Sequence, residues 1–171
     1  MFKSLYRHLA LCMWTLLLAA CAGRLQIEPT RTPASPSSDL EAARETLRVY
    51  FDALNTGDYD TASDLYGGEL DLLAEWNPDV DPATPAMLFE ALCSRQLMCL
   101  PVRSIVYANE TGERSFQFTL EFSNPDGTLF VLGPCCGASE TEMPPVSQFD
   151  CTVEKTSKGE YKVGCLPVYV P

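Results

Sequence analysis

The chain has 171 residues and a formal net charge of −11 at pH 7, and 46% of its residues are hydrophobic. Two of its cations, Lys3 and Arg7, lie in the first 20 residues, and the remainder therefore carries a charge of −13. A surface this acidic disfavours nucleic acid and anionic lipid as partners. The only histidine is His8, so residues 21–171 contain no Ser-His or Cys-His pair for nucleophilic catalysis.

The N-terminus has the pattern of a lipoprotein leader. A short basic region precedes an apolar run over residues 9–20, which is too short to span a bilayer comfortably and is typical of a signal peptide. The run ends in Leu18-Ala19-Ala20-Cys21, which resembles the bacterial lipobox. This resemblance implies that residues 1–20 are removed and that acyl chains on Cys21 hold the protein on the cell membrane, outside the cytoplasm. The alternative is an ordinary signal peptide, or an uncleaved anchor, with a chance cysteine.

Residues 21–38 predict a flexible tether that begins at the lipidated cysteine. They contain several prolines, serines and threonines and no apolar period, and the prolines would keep such a segment partly extended. The folded part is then a single domain over residues 39–171, which is long enough to bury a hydrophobic core.

The stretch from Leu40 to Tyr66 predicts a long helix, a tight break and a second short helix. Apolar residues recur at the i, i+3, i+4, i+7 spacing of one helix face, at Leu40, Ala43, Leu47, Tyr50, Phe51 and Leu54. Ser38, with Glu41 three residues later, predicts a capping box at the start. Gly57 suits a left-handed C-cap, and Asp58 is placed to cap the second helix.

Two further helices and an antiparallel sheet are predicted downstream. The helices cover residues 69–76 and a segment from Pro85 to about Gln96. The strands are predicted at residues 102–108, 114–122 and 128–132, with a final hairpin formed by 148–154 and 160–170. Helices that come first and an antiparallel meander that follows indicate a single domain of the α+β class.

The run LRVYFDALNTGDYDTASDLY, residues 47–66, resembles the first helices of the nuclear transport factor 2-like superfamily, which includes SnoaL-like and ketosteroid-isomerase-like domains. The resemblance covers about residues 40–171. It implies a cystatin-like cone, in which N-terminal helices pack on a curved antiparallel sheet. Two further stretches resemble bacterial lipoproteins of this superfamily: the tail over residues 166–171 and Gly133-Pro134-Cys135-Cys136-Gly137. This resemblance supports the predicted cellular location and fold, but it implies no activity.

Six cysteines follow Cys21, and an even number in an exported domain indicates disulfides. Cys151 and Cys165 fall nearly opposite each other when the last hairpin folds, so we predict that they are bonded. Cys93 and Cys99 flank a helix-to-strand junction, where a bridge would fasten the helix to the sheet. The sequence does not decide the bonding of the adjacent residues Cys135 and Cys136. They could form a strained disulfide with each other, remain free thiols, or pair with other cysteines.

A metal or redox site at Cys135 and Cys136 is disfavoured by the sequence. A closed zinc site usually has four ligands at characteristic spacing, often with histidine, and residues 21–171 have neither a histidine nor a CxxC spacing. We therefore predict no metal and no cofactor.

The side chains expected to line the cone are mostly aromatic: Tyr50, Tyr66, Phe116, Phe118, Phe122, Phe130 and Phe149. With so few polar groups converging on them, a core filled by these side chains is favoured over a ligand pocket. No carboxylate can be assigned to meet the tyrosines. We therefore predict no catalytic residue, and none of the superfamily's catalytic residues can be carried over onto this sequence.

Three functions follow from this sequence. The first is a lipid-anchored, non-enzymatic binding or accessory module whose partner is an apolar small molecule or a protein. The second is an interaction module that forms a homodimer through the outer sheet face, although Gln117 and Thr119 on that face disfavour a large apolar interface. The third is an isomerase or dehydratase that works inside the cone, and it has the weakest support because no acid or base is evident there.

Overall fold

The structure, a computed structural model, describes residues 37–169. The predicted leader, the lipidation site Cys21 and most of the tether lie outside the described residues. Four helices precede six strands in the described range: α1 Ser38–Thr56, α2 Tyr59–Leu65, α3 Leu70–Trp76, α4 Pro85–Arg95, β1 Leu97–Met98, β2 Val102–Gly112, β3 Ser115–Phe122, β4 Phe149–Lys155, β5 Tyr161–Val163 and β6 Val168–Tyr169. None of these helices combines the length and the apolar character that crossing a membrane requires.

The first helix, α1, is capped one residue earlier than predicted. Ser37 is the N-cap, and its Oγ accepts a 3.0 Å hydrogen bond from the backbone N–H of Leu40. Ser37 has the extended backbone that an N-cap needs, whereas Ser38 is already helical. At the other end Gly57 is left-handed, with φ of 82°, and Asp58 accepts from the Thr61 N–H at 3.3 Å to cap α2. These two caps are confirmed.

The main sheet is antiparallel with the order β2-β3-β4-β5. Phe118 at the middle of β3 faces Ala108 of β2 on one side and Cys151 of β4 on the other.

The last predicted strand, residues 160–170, is interrupted. The ladder pairing of β5 ends at Val163, although the Gly164 N–H still donates to the Thr152 carbonyl at 2.9 Å. After Pro167, which has no N–H to donate, β6 pairs with β1 in a separate two-stranded sheet.

The predicted strand over residues 128–132 is wrong. This segment forms only isolated bridges, between Leu129 and Ser123 and between Leu132 and Val146. Phe130 is the one buried side chain of this segment, and Leu132 packs partly buried against the core, while Leu129 and Val131 are 37% and 48% exposed. The Phe130 N–H donates to the carbonyl of Phe122 at 2.9 Å, which holds that ring against the end of β3.

The core lies between α1 and one face of the main sheet. Alternate residues of β3 are buried, and α1 contacts all four strands of the sheet. The fully buried large side chains are Tyr50, Phe51, Phe89, Phe116, Phe118, Leu47, Leu54, Leu73, Leu88, Leu92, Leu120 and Val153. The predicted α+β class, with N-terminal helices packed on an antiparallel sheet, is confirmed.

The opposite face of the sheet carries a polar network. Thr119 donates to Asp150 at 2.7 Å, and Ser104 donates to Glu121 at 2.8 Å. Gln148 adds a 3.2 Å bond to Glu121, and together these bonds lower the pKa of the Glu121 carboxyl, with Ser104 contributing most. A face satisfied by its own hydrogen bonds offers little apolar area to a partner.

Two disulfides join the pairs that the sequence predicts, Cys93 with Cys99 and Cys151 with Cys165. Their Cα separations are 5.5 Å and 5.3 Å, well within the usual range for a bridge. Val153 faces Val163 in the β4–β5 register, and continuing that register by two residues places Cys151 opposite Cys165. Their sequence separations of 6 and 14 residues correspond to about 2 and about 3 kcal/mol in the chain-entropy account.

Candidate functional site

The interior between α1 and the sheet is filled by aromatic side chains. Of the seven predicted lining residues, Tyr50, Phe116, Phe118, Phe122 and Phe130 are buried, and Tyr66 and Phe149 are partly buried against the same cluster. Rings of this cluster contact one another and the buried Phe51, with centroid distances of 5.1 Å for Phe51 and Phe122, 5.7 Å for Phe122 and Phe149, and 5.9 Å for Phe130 and Phe149. These side chains form part of the hydrophobic core.

Buried polar groups in this interior are few. The Tyr50 hydroxyl donates to the carbonyl of Cys165 at 3.1 Å, and burial raises the pKa of that hydroxyl far above its ordinary value. Burial also raises the pKa of Tyr66. No carboxylate in residues 37–169 is fully buried in this interior. The exposed Glu69 acts on Tyr66 from outside it, and its charge is a second cause that raises the pKa of the Tyr66 hydroxyl.

A cavity of about 340 Å³ lies outside the core, between α1 and the start of β2. We call it the α1–β2 groove. Its lining residues are Glu45, Arg48, Val49, Asp52, Pro101, Val102, Arg103, Ser104 and Ile105. None of the seven predicted lining residues contributes to it. The sequence analysis missed this site because its two walls lie about 50 residues apart in the chain.

The groove combines charges of both signs with apolar area. Glu45, Arg48 and Asp52 share one exposed flank of α1, because they recur at near-helical spacing. Val49 between them is 40% exposed. On the facing wall Arg103 donates to the Gly127 carbonyl at 2.8 Å, which ties that wall to the turn after β3.

The groove runs along an edge of the main sheet. β2 is the first strand in the sheet order, and its partner β3 bonds it on one side only. Val106 and Tyr107, which continue β2 beyond the groove, are 46% and 50% exposed. An edge strand presents backbone N–H and C=O groups that can pair with another extended chain.

No group of three or more His, Cys, Asp or Glu side chains in residues 37–169 is arranged to hold a metal ion. Cys135 and Cys136 are unbonded there, Cys135 half-buried and Cys136 exposed. Both lie in the loop between Leu132 and Val146, away from the residues that line the groove.

A three-residue clamp joins the start of α1 to the end of the sheet. Lys155 Nζ donates to one Asp39 oxygen at 2.6 Å, and the Tyr161 hydroxyl donates to the other at 2.9 Å. The same Nζ lies 5.4 Å from the centroid of the Tyr161 ring. These bonds, with that from Lys155 the strongest, lower the pKa of Asp39.

The clamp predicts a pH dependence of stability. A carboxyl whose pKa is lowered by folding stabilises the folded state above its unfolded pKa of about 3.9, and that contribution is lost as pH falls through the folded value. We expect Asp39→Asn to lower the urea midpoint at pH 7 modestly, because the group is accessible to solvent. The two proteins should converge as the pH falls below about 4.

Urea midpoints measured across that pH range would test this. Glu140→Gln, a change at an exposed loop carboxylate, should follow the unmodified protein throughout. A constant difference between Asp39→Asn and the unmodified protein at every pH would rule out a role for ionised Asp39.

Comparison with known proteins concerns the fold. No protein-family model and no curated protein matches the chain. A ketosteroid isomerase-like protein from Erwinia carotovora atroseptica SCRI1043 is similar with a TM-score of 0.44 and 12% identity, covering 75% of this chain and 93% of its own. A proposed dehydratase of the nuclear transport factor 2-like family from Streptomyces avermitilis has a TM-score of 0.42, 16% identity and the same coverages.

The identities to these nuclear transport factor 2-like proteins are too low to transfer an activity. The interior of this chain is closed by aromatic contacts, and a concave site that is open to solvent lies at the sheet edge.

Proposed function

We propose that this protein is a membrane-anchored extracytoplasmic lipoprotein whose domain is a non-enzymatic module that binds a polypeptide in the α1–β2 groove. The observation that carries the proposal is the contrast between the filled interior and the open groove. Binding inside the core would require packed aromatic rings such as those of Phe122 and Phe149, whose centroids lie 5.7 Å apart, to separate. Separating these rings removes favourable packing contacts, and a small ligand would bind only if its own contacts offset that loss.

The chemistry of the groove suits an extended peptide. The free edge of β2 supplies backbone hydrogen-bonding groups, and Val49, Val102 and Ile105 supply apolar contact. Charges of both signs flank this strip, at Arg48 and Arg103 and at Glu45 and Asp52. Complementary charges on a partner would fix its register and direction.

A photo-crosslinking side chain at Val49 tests the groove in the bacterium that makes the protein. We expect a discrete crosslinked product that Arg48→Glu greatly reduces, because charge reversal opposes the complementary partner. Its matched control is Arg114→Glu, which reverses an exposed cation at the β2–β3 turn. A product of twice the mass of the chain would identify the partner as a second copy.

A second crosslinking position outside the groove serves as a control for non-specific crosslinking. Leu72 of α3 is 44% exposed, close to the 40% of Val49, and does not line the groove. The same product from both positions, or none from Val49, would contradict the proposal. A native mass excess of a few hundred daltons on the purified chain, lost on denaturation, would instead show that the interior opens to a small molecule.

A further inference from the structure

Two adjacent cysteines stand apart from the structural disulfides. The sulfurs of Cys135 and Cys136 are 2.9 Å apart. This separation is longer than the bond of a disulfide, which is about 2.05 Å, but it leaves the two thiols in direct contact. The other four cysteines in residues 37–169 are bonded in pairs, so these two have no other described cysteine to bond.

The backbone around the pair is bent into a tight loop. Cys136 has φ of 60°, the one positive φ at a non-glycine residue in the described chain, and Gly137 follows with φ of 88°. Reciprocal hydrogen bonds between Leu132 and Val146, at 2.8 Å and 2.9 Å, close the base of this loop. The Cys135 N–H donates to the sulfur of Met143 at 3.4 Å. The loop therefore holds both thiols at one place on the surface.

A bridge between these two residues would differ in stability from the two structural bridges. Adjacent Cα atoms across a trans peptide are about 3.8 Å apart, shorter than the roughly 4.4–6.8 Å that disulfides usually span. The structural pairs, at 5.5 Å and 5.3 Å, meet that range. Strained and exposed disulfides have more oxidising potentials and are reduced more easily.

We propose that Cys135 and Cys136 form a reversible thiol–disulfide site that is modified by small-molecule disulfides, while Cys93–Cys99 and Cys151–Cys165 stay oxidised. Sequence alone disfavours redox chemistry here because no CxxC spacing is present. The structure favours redox chemistry at this site for a different reason, because the two sulfurs are in contact and lie at the surface of the loop.

The exchange proceeds in two balanced steps. The exposed Cys136 thiolate attacks one sulfur of a disulfide RSSR, which forms a mixed disulfide and releases RS⁻. Cys135 then loses its proton to water, and its thiolate attacks the sulfur of Cys136, breaks the mixed disulfide and releases a second RS⁻. The two cysteines are oxidised to one disulfide, and RSSR is reduced to two thiols once each RS⁻ takes up a proton.

The environment of the two thiols supports this order of attack. Contact with Cys136 is the main cause that raises the pKa of the Cys135 thiol. Cys135 is also the less exposed of the two. Since the thiolate is the nucleophile, the exposed neighbour is the better first attacker and Cys135 the resolving thiol.

Redox titration of the full chain in detergent tests the site, with Cys12→Ser and Cys21→Ser leaving six cysteines. The protein is equilibrated with reduced and oxidised glutathione at a series of ratios, quenched in acid, alkylated, and analysed by intact mass and peptide mapping. We expect two alkylated thiols at the reducing end and none at the oxidising end, lost together in one step, with the other four unmodified throughout.

Single variants separate the two roles. With Cys135→Ser, Cys136 should accumulate a stable mixed disulfide with glutathione, because the resolving thiol is gone. With Cys136→Ser, the mixed disulfide at half-buried Cys135 should form more slowly. The proposal is overturned if the unmodified pair remains alkylable at every ratio, stops at the mixed disulfide, bonds to another cysteine or cannot be reduced again.

Discussion

Phe118→Ala should lower the free energy of unfolding by about 3–5 kcal/mol, the cost typical of removing a buried phenylalanine. Phe118 has no exposed surface and lies at the centre of the main sheet, between Ala108 and Cys151 in the strand register. Shortening its side chain would leave a cavity that the paired strands on both sides cannot collapse to fill. Since domains are commonly stable by about 5–15 kcal/mol, this loss is a large fraction.

Urea unfolding monitored by circular dichroism would measure the loss. Tyr107→Ala is the matched control, because Tyr107 lies on the neighbouring strand and is 50% exposed. Its effect should stay within about 0.5 kcal/mol. A similarly small effect of Phe118→Ala would show that the interior is loosely filled, which would favour a ligand inside the cone over a partner in the groove.

Cys21→Ser should release the mature protein from the membrane. The lipobox resemblance assigns the anchor to this cysteine alone, and the described domain has no helix suited to cross a bilayer. Two or more acyl chains bind a membrane stably, whereas a chain without them has no comparable attachment. An acidic domain gains nothing from anionic headgroups to compensate.

Cell fractionation and labelling with a clickable palmitate analogue would measure this release. The unmodified protein should be labelled and remain with the membranes, while Cys21→Ser should be unlabelled. Cys12→Ser, a change within the predicted leader, is the control and should leave labelling intact. An anchored, unlabelled Cys21→Ser protein would point to the alternative of an uncleaved N-terminal anchor.

Local patterns account for the parts of the fold that the sequence predicted well. Gly57 and Asp58 terminate and start helices through their own backbone and side chain, so their neighbours hardly matter. The alternation in β3 similarly reports which face of one strand is buried. The bridge between Cys151 and Cys165 was predictable because a short hairpin fixes which residues face each other.

Features that depend on distant residues could not be predicted in this way. The pairing of β1 with β6 joins Leu97 to Tyr169, and no local signal marks either residue for the other. The segment over residues 128–132 is apolar enough for a strand, yet only Phe130 finds a buried site. The α1–β2 groove and the Asp39 clamp likewise arise only when distant segments meet.

The contacts of α1 also set the order in which the domain can be completed. Asp39 in its first turn is hydrogen-bonded to Lys155 and Tyr161, which lie 116 and 122 positions further along the chain. Tyr50 is hydrogen-bonded to Cys165, which lies 115 positions further along. Contacts this distant in sequence slow folding, because a long loop must close before they form. These three bonds can therefore form only once nearly the whole chain has been made. A chain with the proposed leader would thus lack them during most of its synthesis, and an incompletely folded chain is the form that can be threaded through a narrow translocation channel.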